Sequence, residues 1–184
     1  MIKRSSDRLL ILTLICFIIV LLSTNSAAAL EQKKFCDIWW GSQSLSNLSS
    51  YSSGSVDGIR VGQHPCFERL VFDLGGSAPG YYVEYQEQAF GPGKGLPVNV
   101  AGGAKLKIII QAPAHDQDFN QTLEPDSLPA LSSFRTLRDV EVAGSFEGQT
   151  HVGLGVRARL PFRVFTLDGP GDGSRLVVDV AHRW

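Results

Sequence analysis

Five arginines and one tyrosine hold the positions best suited to binding chemistry. Arg60, Arg69, Arg157, Arg159 and Arg175 each fall opposite an apolar stripe, and Tyr82 stands opposite Tyr81, Val83 and Tyr85. A guanidinium presents a planar fork of donors that fits a carboxylate or phosphate at two points. Asp73, Glu141 and Asp179 occupy similar positions, so two readings follow. In one, acids and arginines pair across strands, each pair contributing roughly 0.2 to 1 kcal/mol. In the other, Arg60, Arg69, Tyr82, Arg157 and Arg159 form a sheet surface that binds the carboxylates, sugars or phosphates of a polymer.

Catalytic chemistry finds little support. The chain contains no Gly-x-Ser-x-Gly, His-Glu-x-x-His, Ser-x-x-Lys or phosphate loop. His115-Asp116-Gln117-Asp118 has the residue types of an acid–base or metal cluster, but it lies in a long polar stretch where such residues ordinarily meet solvent. His64, His151 and His182 stand apart in sequence. The expectation is a protein that is not an enzyme and holds no metal and no cofactor. A balance of 17 Lys and Arg against 18 Asp and Glu also argues against a nucleic-acid partner held by bulk charge.

The first residues differ from the rest. Lys3, Arg4 and Arg8 precede an uncharged apolar run from Leu9 to Leu22, and Ala27-Ala28-Ala29 closes a small-residue stretch. That layout is a secretory signal, with cleavage expected after Ala29. As a helix the run would span about 21 Å, short of the roughly 30 Å hydrocarbon core, so no transmembrane anchor is expected after cleavage. The remaining 155 residues carry 14 Lys and Arg and 17 Asp and Glu, a net charge of −3. Attraction to an acidic polymer would have to come from a local row of arginines.

Export changes the meaning of the cysteines. Cys16 leaves with the signal, and Cys36 and Cys66 are left in a compartment where disulfides persist. Their pairing would pin Phe35, Trp39 and Trp40 to the main domain across Ser42 to Ser55, a stretch with eight serines that reads as a flexible loop. The expected organisation is a signal peptide at 1–29, a disulfide-tethered aromatic arm and Ser-rich loop at 30–55, and one β domain at 56–184.

Strand alternation organises that domain. Leu70, Phe72 and Leu74, then Leu106, Ile108 and Ile110, then Leu176, Val178 and Val180 each share one face. The run Thr150 to Leu160 puts Val152, Leu154, Val156, Ala158 and Leu160 on one side and His151, Gly153, Gly155, Arg157 and Arg159 on the other. Gly75-Gly76, Pro79-Gly80, Gly91-Pro92-Gly93 and Glu147-Gly148 mark turns. Only Leu131 to Arg138 suggests a helical turn. The fold expected is all-β, an antiparallel β-sandwich of about seven to eight short strands with at most one short helix, a small β-barrel being the alternative.

These residues carry a resemblance. Ile59-Arg60-Val61-Gly62-Gln63-His64-Pro65-Cys66-Phe67-Glu68-Arg69-Leu70-Val71-Phe72-Asp73, then Ala143 to Gly148, Gly153 to Arg157, Pro161 to Val164 and Arg175 to His182 resemble, in that order, the AMIN-like domain of secreted and envelope proteins of actinobacteria. The resemblance implies a β-sandwich that targets the cell envelope by binding peptidoglycan, without a reaction. It also implies that the Cys36–Trp40 arm and its partner Cys66 mark one branch of that family. The expected partner is a cell-wall polymer, peptidoglycan above all. The alternative is an envelope protein docking on Trp39, Trp40 or Tyr82.

Overall fold

Alternating apolar residues build two antiparallel sheets that share one core. The computed structural model describes residues 32–123 and 127–184. The expected signal peptide lies outside them. In chain order the strands are β1 (Lys33–Phe35), β2 (Ile38–Trp40), β3 (Leu45–Asn47), β4 (Val56–Gln63), β5 (Phe67–Leu74), β6 (Tyr81–Gln86), β7 (Ala89–Phe90) and β8 (Pro97–Val98). They continue as β9 (Ala104–Ile110), β10 (Leu137–Phe146), β11 (Gln149–Val156), β12 (Phe162–Asp168) and β13 (Ser174–Ala181). Among the described residues no helix is long and apolar enough to cross a membrane.

One sheet runs β12-β13-β5-β4 and the other β10-β11-β9-β6-β3, while β1-β2 and β7-β8 are separate ribbons. Both sheets keep free edges, so the fold is a sandwich and not a closed barrel. Within the first sheet the register places Leu70 of β5 opposite Val178 of β13, and Phe72 opposite Leu176. Against them pack Val83, Leu106, Ile108, Ile110, Val152, Leu154 and Val156 from the other sheet, all buried in one cluster. Burial of this kind contributes about 1.5 to 3 kcal/mol for each large apolar side chain.

Four local expectations differ from the structure. Among the described residues the two sheets hold nine strands, against the seven or eight expected, because the Ser-rich stretch supplies β3. Nor is the rest of that stretch a loose loop. Ser50 O accepts from Gly80 N at 2.7 Å, Ser52 Oγ donates to Ser77 O at 2.6 Å, and Ser52 N donates to Gln111 O at 2.8 Å. Serine hydroxyls and backbone groups sew it to its neighbours without apolar alternation. The strand expected over Thr150 to Leu160 ends at Val156, where the chain bends through Arg157 to Arg159. The helical turn expected over Leu131 to Arg138 is reduced to one bond from Phe134 N to Leu131 O, and β10 begins at Leu137.

Glycines on β11 make room for a crossing chain. A Cβ on Gly155 would overlap Ala101 O, so no other residue fits there. The alternation His151, Gly153, Gly155 thus marks a covered face rather than a bare one.

The expected disulfide forms between Cys36 and Cys66. Cys36 and Asp37 make the tight turn between β1 and β2, with positive φ of 52° and 59°. Trp40 is buried with Phe67 and Ala181, flanked by Phe35, Ile38 and Cys66. Replacing both cysteines with alanine is expected to cost about 2 to 4 kcal/mol, given the 30-residue separation. Chemical denaturation followed by Trp fluorescence checks this; an unchanged midpoint contradicts a stapling role.

Candidate functional site

The five expected ligand-binding residues, Arg60, Arg69, Tyr82, Arg157 and Arg159, do not share one surface. Arg60 pairs side-on with Asp73, its Nη2 donating at 2.6 Å to Oδ1. Arg69 grips Asp179 at two points, 2.6 and 2.9 Å, and Arg163 Nε donates to the same carboxylate at 2.8 Å. Asp179 is fully buried, and both guanidiniums lie over the Phe67 and Phe165 rings. Tyr82 Oη donates to Glu84 Oε2 at 2.7 Å on the other sheet. Arg175 donates to the carbonyls of Asp168 and Gly169. Cross-strand pairing therefore accounts for Arg60 and Arg69.

Arg157 and Arg159 part company at the bend after β11. Arg159 donates to Ser42 O at 3.0 Å and stacks 4.9 Å over the Tyr85 ring. Tyr85 Oη in turn donates to Leu160 O at 2.7 Å and accepts from Leu160 N at 3.0 Å, tying the bend to β6. Burial pushes the Tyr85 phenol up to about 12, opposed by the Leu160 hydrogen bond and the Arg159 charge. The folded value exceeds the unfolded one of about 10, so the folded state holds its proton longer and stability falls as pH rises from about 10 to about 12. Alkaline denaturation should lose that slope in Tyr85→Phe; an identical slope contradicts it.

Arg157 instead enters a cleft at one end of the sandwich. Its Nη2 donates to His182 O at 2.8 Å and its backbone N to Thr136 O at 2.8 Å. With Phe134, Arg135, Thr136, Arg138 and His182 it lines a cavity of about 520 Å³. Arg138 Nη1 donates to Phe134 O at 2.6 Å. Among the described residues none of Arg135, Arg138 and Arg157 forms an ion pair with a carboxylate. Three exposed arginines thus converge, and their guanidiniums meet the His182 ring and backbone carbonyls.

A buried carboxylate shapes this wall from behind. Glu68, on the apolar side of β5, is fully buried and accepts the backbone N–H groups of Arg135, Thr136 and Leu137 at 2.7, 2.8 and 2.8 Å. Successive N–H groups converging on an anion form a nest, which holds 135–137 in place. A signal for it exists in the sequence, since Glu68 is a carboxylate in step with Leu70, Phe72 and Leu74. Arg135, Arg138 and His182 carry no comparable signal, because their convergence depends on separate chain segments. His115 and Asp116 lie elsewhere, and among the described residues no cluster of acids, histidines and cysteines could hold a metal.

The family model of the AMIN-like domain matches residues 54–182. No curated protein and no solved structure matches the chain significantly. The matched span takes in Glu68 and all the residues of the cleft but leaves out the β1–β2 arm. AMIN-like domains are generally extracytoplasmic, non-catalytic binding modules associated with the cell wall, and over most of its length this chain belongs to the AMIN-like domain family.

Proposed function

We propose that the chain is a secreted, non-catalytic cell-envelope domain that binds peptidoglycan through the Arg135–Arg138–Arg157 cleft. The observation that carries this reading is the convergence of three guanidiniums lacking carboxylate partners among the described residues. Peptidoglycan supplies carboxylates along its peptide stems, and a guanidinium fork matches them. The disulfide fits an oxidising compartment. Sedimentation with purified peptidoglycan tests the reading. Retention at low salt and release by about 0.5 M salt, where the screening length is roughly 4 Å, are expected. Absence of retention by the folded protein overturns it.

One observation favours a second reading, an envelope-protein interaction module. Trp39 is 63% exposed on the disulfide-pinned arm, and large exposed aromatics anchor interfaces. Trp40, the other aromatic of the arm expected to dock a partner, is buried and is excluded from that role.

A further inference from the structure

His182 Nε2 faces two partners with opposite demands. It lies 2.9 Å from His64 O and 3.1 Å from Arg135 Nη2. A carbonyl only accepts and a guanidinium only donates, so the ring nitrogen cannot serve both. Carrying a proton, it bonds His64 and confronts the Arg135 N–H. Bare, it accepts from Arg135 and turns a lone pair toward the carbonyl. Thr136 Oγ1, 2.7 Å from Nδ1, donates or accepts and so suits either state.

Resting on the reading of the cleft as the binding site, we infer that it is an oxyanion site in which a ligand carboxylate or phosphate replaces His182 Nε2 as the partner of Arg135, and that His182 takes up one solvent proton as this happens. The imidazolium then donates to both Thr136 Oγ1 and His64 O. Arg135 is exposed, and only its side chain must move, since its backbone N–H is held by Glu68. The charged groups around His182 explain why proton and anion arrive together. Arg135 faces it from the segment before β10, Arg157 from the bend after β11, and Arg183 follows it in the chain, with Arg138 across the cavity. His64 contributes its carbonyl from the end of β4, and Glu68 behind the wall already serves three backbone donors. An anion bound among these groups attracts the imidazolium directly and so favours the protonated ring.

Calorimetric titration with sulfate and with N-acetyl-alanine, at about pH 6 and about pH 8, tests the inference, because both probes stay ionised while imidazole titrates. Several-fold tighter binding at the lower pH is expected, with proton uptake seen as a dependence of the heat on buffer ionisation. The tighter probe identifies the source, a phosphate-bearing polymer for sulfate and a peptide stem for the carboxylate. His182→Gln should bind without the pH dependence. Equal affinity at both pH values with no proton uptake by the unaltered protein overturns the coupling. Binding that survives Arg157→Ala unchanged, or no binding of either probe, instead overturns the cleft as the site.

Discussion

Glu68→Ala is expected to destabilise the protein by about 3 kcal/mol or more. The substitution strands the N–H groups of Thr136 and Leu137, both buried, and that of Arg135. Each buried donor left without a partner costs about 1 to 3 kcal/mol, partly offset because the carboxylate no longer has to be desolvated. Glu68→Gln keeps one acceptor oxygen but turns an amide N–H toward a donor, so its loss should be smaller. Urea denaturation of both variants gives the order; a loss below about 1 kcal/mol for alanine contradicts the nest.

Asp179→Ala should be comparably severe, at about 3 to 5 kcal/mol, because it leaves Arg69 and Arg163 facing each other without their shared counter-charge. Both guanidiniums are partly buried against aromatic rings, including Trp40 for Arg163. The arm should loosen with them, shifting Trp fluorescence to the red. Combining Asp179→Leu with Arg69→Met and Arg163→Met should recover much of the loss, since a packed apolar set needs no counter-charge. If that triple variant is no more stable than Asp179→Ala, ion pairing is not what the site contributes.

Much of the fold was legible in short-range pattern. The stripes of β5, β9 and β13 follow directly from alternation, and the turn at Glu147-Gly148 joins β10 to β11 where Gly148 marked it, although Glu147 also takes a positive φ of 50°. Other features depend on distant partners. Apolar alternation runs past Val156 through Ala158 and Leu160, yet bonds from Arg157 N to Thr136 O and from Leu160 N to Tyr85 Oη bend the chain there. Leu131, Phe134 and Leu137 have helical spacing, but their segment is shaped by Glu68, far away in the sequence. The candidate site was legible only in Arg157. Its neighbours arrive from the start of β10, the segment before it and the residue after β13, where a single chain segment shows nothing unusual.

The most direct measurement compares peptidoglycan retention at one low salt concentration for the unaltered protein, the Arg135→Ala/Arg138→Ala/Arg157→Ala variant and Arg60→Ala, each checked for folding by circular dichroism. Arg60 already has Asp73 as its partner, so its loss should leave retention unchanged. The triple variant should lose retention. Retention of the folded triple variant at the level of the unaltered protein would contradict the assignment of wall binding to the cleft.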